Sequence, residues 1–520
     1  MKRCYTITTP IYYVNAEPHI GHTYTTIVAD TLARYHRLAG EQTFFLTGTD
    51  EHGEKVAEVA AQRGIPARAF TEEISGIYRS TWEELGISFD RFIRTTDRDH
   101  VRAVHAILQA VYDAGEIEFR EYEGLYCVGC ERFLTGRDMV DGLCRDHERP
   151  PERRAESNYF FKMSRHFDWL VEQLQEQPDL IRPERYRNEV LAMLREESGL
   201  EDLCISRPKS RLDWGIELPF DENYVCYVWF DALINYLSGL GYPDDPAFEQ
   251  RWSSIEHLVA KDILKPHGVF WPTMLRAAGF PLFQRLYVHG YWNVDERKVS
   301  KSLGNMISPL LMRDRYGFDS FRYFLLREMT FGLDSNFTEK ALVTRINADL
   351  ANNLGNLVSR TLNMTARFCE GRVPEPGASG ELEASVEATA WGAAEAVDGF
   401  VRRLEFHRAL ETIFAVVDAT NRYLDARAPW KAVKDPDREE EVRTTLYTCC
   451  QALRSVALLL APFIPDAART ILERLGLPDA IEHATLPEGA RNWDSPPPGT
   501  PTTKGASLFP RVELPEIEAG

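Results

Sequence analysis

The 520-residue sequence predicts an α/β fold: a parallel sheet interrupted by an insert and followed by an all-helical region. Three patterns carry that expectation. Strand and helix signals alternate through roughly the first 115 residues; a stretch rich in cysteine, glycine and charge then breaks the alternation; and from about residue 340 to 480 apolar residues recur almost purely at helical spacing.

Taken in order, Cys4–Thr9 is an apolar, β-branched run that reads as a first strand. A polar loop follows, then Ile27, Val28, Leu32, Tyr35 and Leu38 at helical spacing, then a second strand-like run at Thr43–Thr47. Strand, helix and strand in that order make a βαβ unit, whose strands pair in parallel. After the insert, strand-like and helical signals return at Tyr224–Trp229 and Leu286–His289. Farther on, Leu410, Ile413, Phe414, Val417 and Leu424 mark one buried helical stripe. The tail, SPPPGTPTTKGASLFPRVE, opens as a Pro/Gly/Thr linker and ends in a short apolar anchor. The expected partition gives 1–115 and 226–297 to two halves of the sheet domain and 116–225 to the insert; 298–340 is a mobile loop with its support, 341–480 the helical domain and 481–520 linker and tail.

Hydrophobic residues make up 44% and charged residues 27%, ordinary proportions for a globular chain in water. No stretch approaches the roughly 20 apolar residues of a membrane span, and the best, Ser455–Ile464, is broken by Pro462. The N-terminus, MKRCYTITTP, runs into the first strand without the apolar core of a signal peptide, so a cytoplasmic location is expected. Nine cysteines are too few, and odd in number, for a disulfide framework. A net charge of −19 disfavours indiscriminate nucleic-acid binding but leaves room for a local basic face.

Pro18-His19-Ile20-Gly21-His22 falls between the first strand and the first helix. A helix N-terminus there offers free N–H groups and the positive end of a dipole to phosphate. Gly21 would let a nucleotide lie close to the backbone, and two imidazoles three apart could both donate to phosphate oxygens. On its own the pair reads equally well as two surface histidines. Lys298-Val299-Ser300-Lys301-Ser302 follows the strand-like LYVHGYW and an acidic turn, and makes a loop able to close over a triphosphate. Cys127-x2-Cys130, thirteen residues, then Cys144-x2-His147 is the spacing of a closed structural zinc site. Disulfides are disfavoured by a reducing cytosol, and buried free thiols by the polar, glycine-containing surroundings.

Together the histidine and lysine motifs resemble the HIGH and KMSKS signatures of class I aminoacyl-tRNA synthetases, with Val299 where that class has Met. The runs PIYYVNAEPHIGH, LTGTDEHGEKV, YVWFDALINYL and KDILKPHGVFWPTML are similar to the methionyl-tRNA synthetase family over nearly the whole chain. The resemblance implies a Rossmann-like catalytic domain split by a zinc-bearing connective insert, then an all-α anticodon-binding bundle. It implies ATP-dependent formation of methionyl-adenylate from L-methionine, then transfer to the 3′-terminal adenosine of initiator and elongator tRNA(Met), with Mg2+ accompanying ATP and one structural Zn2+ per chain. His19, His22, Lys298 and Lys301 take the catalytic positions, and Gly21, Ser300 and Ser302 complete the ATP site. Ile11, Tyr13, Trp229, Leu233, Tyr236 and His267 correspond to the methionine pocket, and Asp50 to the carboxylate that holds the substrate ammonium. Trp229 and Tyr236, seven apart, share a helix face and suit a polarizable thioether. Asn356, Arg360, Pro429 and Trp430 match anticodon-reading positions.

The family's usual glycine before the Lys-Asp of KDIL is Ala260 here, a costly change if that backbone takes positive φ or approaches the ligand. The chain carries neither the large editing insert of leucine-type relatives nor, at its end, the module through which some relatives dimerise; a monomer is expected. The alternatives are another class I synthetase, of cysteine or leucine type, and a catalytically silent tRNA-binding paralog.

Overall fold

The computed structural model describes every residue except 1–2, 129, 131, 135–137, 196–199, 295–296, 299–306 and 515–520. The chain packs as two compact units, one of Cys4–Ala29 with Thr43–Gly290, the other of Met1–Arg3, Asp30–Gln42 and Tyr291–Gly520.

The first unit is built on a six-stranded sheet. Its strands are β1 (Cys4–Tyr13), β2 (Gln42–Asp50), β3 (Arg91–Arg94), β4 (Ile181–Arg182), β5 (Ile255–Ala260) and β6 (Arg285–His289), in the order β3-β2-β1-β5-β6-β4. β2 pairs with β3, β1 with β5, β5 with β6 and β6 with β4, all in parallel. The expected first strand and second strand are both present and longer than their apolar runs. Helix α1 (Ile20–Leu38) connects them, with Ile27, Val28, Leu32 and Tyr35 buried as its spacing requires and Leu38 half-buried. From β1 the order runs outward to β2 and β3 on one side and to β5 and β6 on the other, so the crevice of this doubly wound sheet lies between β1 and β5.

The insert is antiparallel. Ile117–Cys127 pairs with Glu152–Phe161 over a long ladder, flanked by Arg132–Leu134 and Leu203–Cys204. The run Tyr224–Trp229 divides between the two kinds of signal. Its strand is Asp221–Cys226, and Tyr227 then caps a helix, its carbonyl accepting the N–H groups of Phe230 and Asp231. Aromatic and β-branched residues raise strand propensity, but capping and burial decide the element.

The second unit is helical, with long helices at Asn356–Phe368, Glu381–Arg402, Phe406–Arg427 and Glu439–Leu460. Leu410, Ile413, Phe414, Val417 and Leu424 form the buried stripe of the third. Arg322, 1% exposed, donates to Asp30 Oδ2 at 2.6 Å and to the carbonyls of Pro462 and Phe463 at 3.0 and 2.8 Å. A buried cation is tolerated when paired in this way. The tail docks as an anchor: Phe509 is buried, and Val512 exchanges two backbone–side-chain bonds with Asn347, of 3.0 and 2.9 Å. No helix among the described residues is long and apolar enough to cross a membrane.

Candidate active site

The chain leaves β1 at Tyr13, crosses a short loop and enters α1 at Ile20, at the crevice. The His19 carbonyl accepts the Thr23 N–H at 2.9 Å, and its ring Nδ1 accepts the Gly21 N–H at 3.1 Å. The ring thereby folds over the helix start. A Cβ on residue 21 would stand 3.0 Å from His19 Cε1, so the first neighbour a side chain there would crowd is His19 itself. The His22 ring stacks on that of His19, with centroids 3.9 Å apart and planes at 29°.

The Tyr78 hydroxyl lies 3.0 Å from His22 Nδ1. Burial holds Tyr78 well above the usual phenol range, so it remains a donor, and a neutral His22 then carries its proton on Nε2. Burial, and next the neighbouring His19, hold His22 well below the usual imidazole range. The result is a neutral N–H donor in the first turn of a helix, where the dipole favours an anion.

The residues expected to enclose methionine all lie in the same unit. Val228–Leu233 and Asn235–Ser238 are two short helices separated at Ile234, and the single helix face foreseen for Trp229 and Tyr236 is broken there. Both rings still meet His267, at centroid distances of 6.3 and 5.7 Å. His267 sits in a π-helical turn, Pro266–Phe270. Its Nδ1–H donates to the Ile263 carbonyl at 2.9 Å, which leaves Nε2 to accept the Tyr236 hydroxyl at 2.8 Å. Burial lowers His267 to about 4, consistent with that neutral tautomer. Leu233 and Tyr236 belong to the buried core, against which Ile11, Tyr13 and Trp229 pack half-exposed. Asp50 ends β2, is buried, and its carbonyl accepts the Val14 N–H at 3.2 Å.

Ala260, at the end of β5, has φ −81 and ψ 157. That is ordinary extended backbone, so no conformation reserved for glycine is required there.

A buried chain of hydrogen bonds through His52, Asp231, His100 and Ser238 escaped sequence reasoning. Asp231 accepts from His52 Nδ1 and His100 Nε2, both at 2.7 Å, and Ser238 Oγ lies 2.8 Å from His100 Nδ1. Although burial opposes it, the two imidazoles hold the Asp231 carboxyl at about 2. His52 and Asp231 stand in two of the runs quoted above, but no spacing rule joins residues 179 apart.

Cys127, Cys130, Cys144 and His147 come together, with all ligand atoms within 4.8 Å of one another. Cys130 Sγ lies 3.5 Å from Cys144 Sγ and 3.3 Å from His147 Nδ1. A tetrahedral zinc with bonds of about 2.3 Å to sulfur needs edges of about 3.8 Å, so the donor set fits the ion. Burial acts to raise the Cys144 thiol, but the backbone N–H of Asp146 and the adjacent thiols outweigh it and hold the group below its usual range. All nine cysteines are free of disulfides.

Among the second lysine motif, Lys298 ends a short strand, Arg297–Lys298, paired with Trp292–Val294. Ser300, Lys301 and Ser302 lie outside the described residues. In the helical unit, the Arg360 guanidinium sits 5.1 Å from the centroid of Trp430, which is 37% exposed. Asn356, one turn before Arg360, is exposed as well. Ala428 reverses the chain in left-handed backbone (φ 44, ψ 56), and Pro429 starts the next helix.

Residues 5–150 and 137–362 match the family model described as tRNA synthetases class I (M), and residues 373–519 that of the anticodon binding domain of methionyl tRNA ligase. A parallel sheet with a histidine pair at its crevice, an insert and an anticodon domain define a class I aminoacyl-tRNA synthetase. The chain is 45% identical to the methionine–tRNA ligase of Deinococcus radiodurans, covering 98% of this chain and 74% of that one. It is 41% identical to the methionine–tRNA ligase of Mycobacterium tuberculosis, covering 99% of each. The crystal structure of M. tuberculosis methionyl-tRNA synthetase bound by methionyl-adenylate superimposes with a TM-score of 0.90 at 40% identity, covering 98% of this chain and 100% of that one. The chain belongs to the methionine–tRNA ligase family.

Proposed function

We infer that this chain ligates L-methionine to tRNA in two steps on one site. The methionine carboxylate attacks the α-phosphorus of ATP in line, forming methionyl-adenylate and releasing pyrophosphate. The hydroxyl of the tRNA 3′-terminal adenosine then attacks the adenylate carbonyl, and AMP leaves. The observation that carries this reading is the full-length likeness to a synthetase solved with methionyl-adenylate.

His19 and His22 donate to the phosphates from the start of α1, and Lys298 and Lys301 stabilise the leaving pyrophosphate, with Gly21, Ser300 and Ser302 completing the ATP site. The work is positioning and charge stabilisation. Mg2+ bound with ATP would neutralise phosphate charge. Ile11, Tyr13, Trp229, Leu233, Tyr236 and His267 enclose the methionine side chain, and Asp50 holds its ammonium. The neutral Tyr236–His267 pair supports an uncharged wall suited to a thioether. Cys127, Cys130, Cys144 and His147 hold one Zn2+, whose role is structural because four protein ligands leave no open position. Asn356, Arg360, Pro429 and Trp430 read the anticodon of initiator and elongator tRNA(Met); an exposed indole beside a guanidinium supports base stacking. The proposed location is the cytoplasm.

Charging of tRNA(Met) with radiolabelled amino acids tests the substrate. Methionine is expected to be esterified, and leucine and cysteine not. Charging of tRNA(Leu) or tRNA(Cys) in its place would reassign the enzyme within its class.

A further inference from the structure

We propose that the helical unit holds a second ligand site, for a small monocarboxylate with an apolar stem, seated on the buried guanidinium of Arg454. Arg454 projects from helix Glu439–Leu460 and is 6% exposed. Its Nη1 donates to the carbonyls of Gly489 and Asn492, at 2.9 and 3.0 Å. Nε is buried without a hydrogen-bond partner, and among the described residues the guanidinium forms no ion pair. Burial lowers Arg454 below the usual guanidinium range. Arg322, in the same unit, shows the contrasting case, with Asp30 supplied at 2.6 Å. A buried cation without a counter-charge is costly, and an incoming anion would relieve it.

Arg454 lines a cavity of about 450 Å3 whose walls come entirely from residues 454–495. Leu477, Pro478 and Ala484 give it an apolar side, which suits a short hydrocarbon stem. Asp479 and Glu488 also line it and are exposed. They oppose any anion, and a doubly charged phosphate about twice as strongly as a carboxylate, whose single charge matches the one guanidinium.

The test titrates the full chain with sodium butyrate, sodium acetate and inorganic phosphate, at constant ionic strength set with sodium chloride, by calorimetry and by Tm. Butyrate is expected to saturate one site, with acetate roughly fifteenfold weaker for its two missing methylenes and phosphate weaker still. Arg454→Gln should weaken butyrate at least tenfold. Because Arg454 also ties down two carbonyls, Thr485→Glu serves as a second variant, adding a carboxylate to the same wall while leaving Arg454 in place. It should lose butyrate equally and keep the Tm of the unsubstituted protein. No saturable heat beyond the chloride control, butyrate binding retained in either variant, or phosphate binding tighter than butyrate would each overturn the proposal.

Discussion

At the residue scale, the Tyr236–His267 pair has one proton arrangement, fixed because His267 Nδ1 is already committed to the Ile263 carbonyl. Tyr236→Phe leaves Nε2 buried and unsatisfied, a cost of about 1–3 kcal/mol. That cost is present with and without substrate and should lower the urea midpoint; the KM for methionine should rise as the His267 ring is freed, while the KM for ATP moves by less than about twofold. An unchanged methionine KM would remove Tyr236 from the pocket. Trp430 poses the opposite problem, a large ring left 37% exposed. Stacking on a base would account for it at about 1–3 kcal/mol. Trp430→Ala should therefore lower kcat/KM for tRNA charging roughly ten- to hundredfold and leave adenylate formation untouched; equal losses in both assays would point to damage in the fold.

At the element scale, the knuckle depends on four side chains drawn from two short turns of the insert. Zinc binding at such a site contributes roughly 10 kcal/mol or more of apparent folding free energy. Purified protein should contain one equivalent of zinc, and Cys144→Ser should abolish it and open the insert to proteolysis between residues 127 and 147. A metal-free protein with a protease-resistant insert would contradict a structural ion. This knuckle was legible in the sequence because its ligands come in local pairs. So was the βαβ start, because apolar periodicity is a local signal. The residues expected around methionine were readable only through whole quoted runs, and tertiary meetings such as His52 with Asp231 were not readable even so. The π-helical turn carrying His267 and the break at Ile234 were not readable at all. Single-residue shifts in helical hydrogen bonding leave no periodic trace, yet such turns recur at functional sites. At Ala260 the extended backbone removes one of the two reasons the departure would be costly, a positive φ.

For the whole molecule, four neutral histidines give a pH signature. Burial holds His22 and His257 well below the usual range, and His267 and His289 at about 4. Above about pH 6.5 folded and unfolded chains both carry neutral imidazole. As pH falls from there toward 4 only the unfolded chain takes up these protons, so stability declines, by roughly 3 kcal/mol each for His267 and His289. Urea midpoints that stayed constant from pH 7 to 4.5 would show those sites to be hydrated. The central claim is that a histidine pair at the sheet crevice and a lysine on a distant loop act on one triphosphate. The direct measurement is methionine-dependent ATP–pyrophosphate exchange in Lys301→Ala. Loss of one charge-stabilising donor predicts a rate lower by about a hundredfold or more, roughly 3 kcal/mol, with methionine affinity nearly unchanged. Exchange at the unsubstituted rate would contradict it.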